Sequence, residues 1–422
     1  MSKITVENVA LVYVELPTSN SEQDLYELNE LIATAQGDLK LTVTQKRNII
    51  DPKTVVGKGK LDEIKRSVEV INNGEQDGNN VDVVIFSCPL NATQRATLTK
   101  ALDCDVIDKI DLILDIFALR ATSAEGKKQV ELAQLSYNLA TKPEGDFSRQ
   151  GAGIGTRGPG ETKLETNKRA ARDRMYRLRQ ELAEIEKHRG LTRKKREEND
   201  NFTVALVGYT NAGKSTLFNR LTQSDIYADD KLFATLDTTV RKLPLSSGIT
   251  VLLCDTVGFI NELPHALLNA FKSTLEEATR ADLILNVCDA SDKNVANHIA
   301  VTEDTLGELG VNAPILRVYN KCDKLTGSEA LSDTLGSASA TLFVSALTGK
   351  NIDVLLGKID EYASAQYTTV RLKAPLGESS KLLAQLNKYS VKCSAEYSDE
   401  DVTLVATLAK RYVNLFIDYL DI

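Results

Sequence analysis

Short apolar runs and helical spacings take turns along the first 120 residues. Residues 9–16 and 39–43 read as strands, with a helix between them whose start carries Ser21 and Asp24 at capping-box spacing. Residues 60–71 and 92–102 read as further helices and 81–87 as a strand, while 106–107 close another strand before an apolar helix over 110–119. Strands alternating with helices predict a small α/β layered domain over residues 1–122. From about residue 127 the period changes. Residues 127–139 are helical in pattern, and the glycine-rich stretch GDFSRQGAGIGTRGPGETK fills 145–163. The helix after it, to about residue 187, places Ala171, Met175, Leu178, Leu182 and Ile185 at alternating steps of four and three, an a/d seam.

Two helical arms around an irregular loop predict a hairpin over 123–200, with the seam as its own core rather than a dimer interface. The chain is therefore expected to be a monomer, and the charged run 193–200 reads as a solvated linker. A second α/β pattern begins at Phe202. Strand-like runs at 203–207, 250–254, 283–287, 315–319 and 342–344 alternate with helical segments, which predicts a doubly wound parallel sheet across 201–364. Residues 365–422 hold a strand (370–372), a helix (381–389) and a strand–strand–helix run, a small α+β unit. The fold class expected is multidomain α/β.

The chemistry sits at strand ends of the second sheet. Gly208-Tyr209-Thr210-Asn211-Ala212-Gly213-Lys214-Ser215 follows a strand and opens a helix, the context in which this pattern cradles a polyphosphate. Glycines let the backbone wrap the phosphates, Lys214 reaches the β- and γ-phosphates, and Ser215 suits Mg2+. Asp255-Thr256-Val257-Gly258 ends the next motif-bearing strand, where the aspartate can hold Mg2+ through water and the Gly258 N–H can sense a γ-phosphate. Asn320-Lys321-Cys322-Asp323 offers a carboxylate for two N–H groups of guanine, which adenine does not present, and Ser345-Ala346-Leu347 offers the Ala346 amide to the guanine oxygen. GTP over ATP follows. Between the first two motifs, Phe233-Ala234-Thr235-Leu236-Asp237 precedes Thr238 and Thr239, and Thr235 is the threonine expected to ligand Mg2+ when a γ-phosphate is present. The expected catalytic groups are thus Lys214, Thr235 and Gly258. Phe259 stands where several GTPases place a water-orienting glutamine, so slow hydrolysis by the isolated protein is expected.

Composition excludes more than it assigns. The chain has 42% hydrophobic and 26% charged residues, an ordinary globular mixture. Six cysteines (Cys88, Cys104, Cys254, Cys288, Cys322, Cys393) are scattered singly and only three histidines accompany them, so neither a disulfide framework nor a zinc cluster is expected. The first residues lack a signal-peptide pattern, and no apolar run approaches the ~18 residues that span a bilayer, so a cytoplasmic protein without a transmembrane segment is expected. With 51 Lys and Arg against 59 Asp and Glu the net charge is −8, which argues against general DNA or RNA coating. The charge is unevenly spread. From residue 147 to 177 eight basic residues stand against three acidic ones, a local +5, and Arg149, Arg157 and Lys163 lie in or beside the glycine-rich loop as candidate RNA contacts. With only Phe147 and Tyr176 as aromatics there, contact would be with phosphate and RNA shape, not stacked bases.

Three further features have bland readings. The Gly57-Lys58-Gly59-Lys60 segment reads as a strand–helix turn more than a phosphate seat, His265 as a capping or surface residue, and His188 and His298 as surface residues.

The chain resembles the HflX family of ribosome-associated GTPases within the Obg–HflX group. The resemblance rests on GYTNAGKSTLFN (208–219), LFATLD (232–237), DTVGFI (255–260), LPHALLNAFKSTLEE (263–277), EGKKQVELAQL (125–135) and GAGIGTRGPGETKLET (151–166), and it extends to about residue 365. It implies GTP contacts at 208–215, 233–237, 255–258, 320–323 and 345–347, Mg2+ at Ser215 and Thr235, and potassium stimulation through Asn211. It also implies binding to the large ribosomal subunit and separation of stalled ribosomes under stress such as heat. The alternatives are a GTPase of ribosome assembly and a GTP switch with a non-ribosomal protein partner. The chain departs from the family pattern in the weakly basic ATKPEGDFSRQ segment after Leu139, at Lys109 and Asp111, and in its tail.

Overall fold

A computed structural model describes residues 7–17, 20–73, 80–141, 163–198, 202–223, 232–233, 239–259, 278–325 and 341–421, with side chains of 163–198 described from 168 to 187. These residues form two compact units: residues up to 188 with Leu232 and Phe233, and the remainder.

The first unit runs β1 (Asn8–Glu15), α1 (Ser21–Thr34), β2 (Asp38–Lys46), α2 (Lys58–Asn72), β3 (Val83–Phe86), α3 (Ala92–Leu102), β4 (Asp105–Asp108) and α4 (Lys109–Arg120). The strands form a parallel sheet in the order β2-β1-β3-β4. Both faces of β1 are buried, which explains its unbroken apolar run. Ala10, Val12, Val14, Val84 and Phe86 pack with Ile64, Val68, Leu98 and Leu102 of α2 and α3, while Leu11, Tyr13 and Ile85 are buried on the face that α1 and α4 approach. The expected capping box of α1 does not form. Asn20 is the N-cap and makes no side-chain cap bond, and Asp24 instead accepts the Tyr13 hydroxyl at 2.9 Å. A tie between helix and sheet has replaced a local bond. Capping boxes do occur at Asn91 with Gln94 and at Asp108 with Asp111.

The hairpin pairs α5 (Ala124–Thr141) with α6 (Lys163–Glu198). Leu132, Leu135 and Leu139 pack against Ala171, Met175 and Leu178, so this part of the a/d seam is hairpin core. Arg174 clasps Glu131 with two bonds of 2.7 and 2.8 Å, and Lys128 reaches Glu181 at 2.8 Å. Contrary to the linker reading, the helix continues through residues 193–198. Lys, Arg and Glu are good helix formers, and Gly190 alone costs only ~1 kcal/mol.

The second unit contains β5 (Thr203–Val207), α7 (Lys214–Thr222), β6 (Thr239–Pro244), β7 (Thr250–Asp255), β8 (Leu283–Asp289), α8 (Val295–Glu308), β9 (Ile315–Asn320), β10 (Thr341–Phe343) and α9 (Ile352–Ser364). The sheet order is β10-β9-β8-β5-β7-β6, parallel except for β6, which pairs antiparallel with β7. That edge strand was not expected from its sequence, TVRKLP, in which Leu243 alone is buried and exposed charges guard the edge. Pro244 is tolerated because an edge strand need not donate on its open side.

The tail forms a three-stranded antiparallel sheet, β11 (Tyr367–Pro375), β13 (Asp401–Ala409) and β12 (Ser390–Tyr397) in that spatial order, with α10 (Ser379–Tyr389) between β11 and β12 in sequence. Leu372, Leu382, Leu386, Leu404, Leu408 and Phe416 fill its core. The expected final helix is instead a 3-10 segment, Lys410–Tyr419, kinked at buried Phe416. Among the described residues, no helix is long and apolar enough to cross a membrane.

Candidate nucleotide site

The phosphate loop is shaped by close backbone approach. Gly208 has φ +146°, and a Cβ there would lie 2.1 Å from the Val287 carbonyl oxygen of β8. Gly213 has φ +88°, and its Cβ would meet Asn320 Nδ2 at 2.3 Å. The helix then begins at Lys214 with no side-chain cap, and the positive end of its dipole lies at the loop, where it favours an anion. Lys214 is buried, its Nζ donating to the Gly208 and Tyr209 carbonyls at 3.0 and 2.9 Å. Burial lowers its pKa to about 8, with the Asp255 carboxylate opposing that shift. The Ser215 hydroxyl donates to Asp255 Oδ2 at 3.0 Å, so α7 and β7 bring a hydroxyl and a carboxylate together.

Beyond Asp255 the chain passes directly over the loop. The Thr256 hydroxyl donates to the Leu206 carbonyl at 2.7 Å. At Gly258 a Cβ would lie 2.8 Å from Thr210 Cγ2, 2.9 Å from Thr210 Cα and 3.0 Å from Lys214 Nζ, so only glycine fits. Phe259 and the loop exchange two backbone bonds, Thr210 N–H to the Phe259 carbonyl at 2.8 Å and Phe259 N–H to the Gly208 carbonyl at 3.1 Å. Val257 and Phe259 are buried.

The segments expected to hold the base meet the same loop from β9 and β10. Asn320 Nδ2 donates to the Ala212 carbonyl at 3.0 Å and Lys321 Nζ to the Asn211 carbonyl at 2.7 Å. The Ala346 amide, expected to face a guanine oxygen, here donates to Asn320 Oδ1 at 2.9 Å. Asp323 accepts the buried Ser345 hydroxyl, the Cys322 N–H reaches the Val344 carbonyl, and Leu347 is 74% exposed. Four segments of chain distant in sequence are thereby brought together at the strand ends of a single sheet.

Other expected residues fall elsewhere. Ala234, Thr235, Leu236, Asp237, Arg149, Arg157 and His265, together with the Lys163 and His188 side chains, lie outside the described residues. Phe233 belongs to the first unit, where its ring packs edge-on against Phe117 of α4 with centroids 4.6 Å apart. Gly57 caps α2 and gives its N–H to Gln45, while Lys60 pairs with Glu63, an ordinary turn. Lys109 and Asp111, the family departures, are used structurally: Lys109 meets Glu27 at 2.6 Å and Asp111 pairs with Arg95. Two contributors escaped the sequence reading. Asp289 ends β8 and pairs with Lys321 at 2.7 Å, its carboxyl held below the usual range by the Lys321 and Ser291 bonds despite burial. His298 is not a surface residue, because its side chain is only 12% exposed and its ring stacks on Tyr209. An aspartate ending an apolar strand is a usable signal, whereas nothing local marked His298.

Fold and site together define a GTPase. Comparison with known proteins carries this further: the profile described as GTP-binding GTPase N-terminal matches residues 22–118, GTP-binding GTPase Middle Region matches 120–196, and 50S ribosome-binding GTPase matches 203–321. The GTPase HflX of Lacrimispora saccharolytica is 42% identical over 403 residues, covering 94% of this chain and 92% of its own. That of Caldanaerobacter subterraneus is 49% identical across 75% of this chain and 73% of its own, and that of Escherichia coli 40% across 87% and 86%. The chain belongs to the HflX family of GTPases and is a GTP-hydrolysing enzyme.

Proposed function

We propose that this GTPase acts on the large ribosomal subunit and, with GTP bound, separates stalled ribosomes into subunits under stress. It does so as a chain of four domains with boundaries near residues 122, 200 and 364. The observation that carries the reading is the hairpin. Arg169, Arg172, Arg177 and Arg179 are exposed on α6, whereas the half-exposed Arg174 is paired with Glu131 of α5. A basic face on an otherwise acidic chain favours one RNA site over general coating. The likeness of residues 203–321 to a 50S ribosome-binding GTPase supports the same partner.

In the site, residues 208–215 hold the phosphates, 233–237 and 255–258 respond to the γ-phosphate, and 320–323 with 345–347 hold guanine. The paired oxygens of Ser215 and Asp255 suit a hard cation: Ser215 would hold Mg2+ directly and Asp255 through water, with Thr235 the other direct ligand expected from the sequence. When bound, that ion neutralises charge on the β- and γ-phosphates. Lys214 and the loop amides stabilise the charge that develops as water attacks, and Asn211 makes potassium a stimulating ion.

Gradient sedimentation tests the ribosomal role. Intact ribosomes incubated with the protein and GTP should convert to subunits, and with GDP they should not. Unconverted ribosomes overturn splitting: binding only to precursor subunits indicates assembly, and a protein that co-purifies after RNase treatment indicates a non-ribosomal partner. Replacing Arg149, Arg157 and Lys163 by alanine should weaken ribosome binding and lower its log–log salt slope by about 3, with GTP affinity in the absence of ribosomes unchanged. A second expectation concerns Phe259, which is buried and backbone-bonded to the loop and offers no group to orient water. Single-turnover hydrolysis should be slow for the protein alone and accelerate on adding subunits. Equal rates in both conditions would count against it.

A further inference from the structure

Tyr209, the second residue of the phosphate loop, is 7% exposed, and its ring lies face to face with the His298 imidazole, centroids 3.8 Å apart and planes within 9° of parallel. His298 stands near the start of α8, and its position is fixed from both sides. Its Nδ1 lies 3.5 Å from Asp292 Oδ2, while Asp292 Oδ1 accepts the Asn294 N–H at 2.8 Å where the helix begins. One turn on, the buried Thr302 hydroxyl donates to the His298 carbonyl at 2.8 Å. The Asp292 contact and the stack on Tyr209 position the imidazole, and the Thr302 bond ties the backbone beneath it.

Tyr209 joins that imidazole to the reacting end of the loop. Its carbonyl accepts Lys214 Nζ at 2.9 Å, and its two neighbours, Gly208 and Thr210, make the backbone bonds to Phe259, the residue after Gly258. Displacing the tyrosine ring therefore shifts the Lys214 ammonium, the loop backbone and the strand end that carries Gly258 together. We propose that His298 is a positioning residue for GTP hydrolysis: held by Asp292 and stacked on Tyr209, it keeps Lys214 and Gly258 in register. It touches no reacting atom. Misplacement of catalytic groups acts chiefly on the transition state, so its loss falls on kcat more than on KM.

The inference rests on the roles assigned above to Lys214 and Gly258, and Lys214→Ala run alongside tests that assignment separately. GTP hydrolysis by the full chain is measured for wild type, His298→Ala, His298→Leu and His298→Phe, with the melting temperature of each. Stacked aromatic pairs have a worth that corresponds to a loss of about 3–10-fold. His298→Leu fills the space without an aromatic face, and carries the comparison if the alanine variant fails to fold. Expected is a 3–10-fold fall in kcat with KM changed less than about twofold, most of it recovered in His298→Phe. A leucine variant with wild-type kcat, a loss confined to KM, or a phenylalanine variant as slow as leucine would overturn the proposal.

Discussion

Lys214→Ala is expected to lower GTP hydrolysis by about two to three orders of magnitude, the usual consequence of removing a preorganised donor from developing charge. Phosphate release measured at saturating GTP checks it, and a variant within tenfold of wild type would remove Lys214 from the catalytic set. Loss of folding would not mimic the result. The lysine is buried and its pKa is pulled down to about 8, so the folded nucleotide-free protein bears a desolvation cost that alanine relieves. The variant should therefore melt no lower than wild type without nucleotide, while losing the stabilisation that GTP confers. The same lysine gives a pH signature. Its folded pKa lies below the 10.5 of the unfolded chain, so between about 8 and 10.5 the unfolded state binds more protons and nucleotide-free stability rises with pH. GTP favours the ammonium form. Affinity should thus fall by up to about tenfold per pH unit above 8, and that slope should vanish in Lys214→Ala.

The nucleotide site is legible in the sequence because each of its pieces is local. A lysine and a serine after a glycine-rich turn, or Asn-Lys-Cys-Asp after an apolar strand, carry their chemistry at fixed offsets from an element that periodicity alone can locate. The same holds for the a/d seam at Ala171, Met175 and Leu178, whose partner helix lies just upstream. What escaped depends on partners far along the chain. Asp24 sits at capping-box spacing, yet Tyr13 on β1 takes it. β6 carries little apolar pattern because it has one buried residue and an open edge. His298 reads as a solvated helix position until the phosphate loop is placed against it, 89 residues away in sequence.

Arg95→Met is expected to cost the first unit about 3–5 kcal/mol, because it leaves two buried carboxylates without their counter-charge. Arg95, Asp108 and Asp111 are all buried, and one guanidinium nitrogen faces both aspartates while the other donates to the Val106 carbonyl at 3.3 Å. Asp108 is the more heavily committed: it also accepts the Leu90 N–H at 2.9 Å, the Ile110 and Asp111 N–H groups at 3.0 Å, and the Tyr137 hydroxyl at 2.6 Å. Tyr137 remains a donor because burial pushes its hydroxyl pKa well up. Without Arg95 the network therefore loses the cation that faces both aspartates, while Leu90, α4 and α5 still bond to Asp108 of β4. Methionine matches the length of the arginine stem, so lost packing contributes little. A drop of roughly 6–20 °C in the melting of the first unit follows, read by thermal denaturation of the full chain. Acid should reduce it. Burial, with Asp108 alongside, raises the Asp111 pKa above 3.8, so the folded state holds that proton more tightly than the unfolded state does. Removing the arginine raises it further, and protonation then relieves the repulsion. The deficit relative to wild type should accordingly be smaller at pH 5.5 than at pH 8, and an equal deficit at both would mean that the carboxylate pair is not its cause.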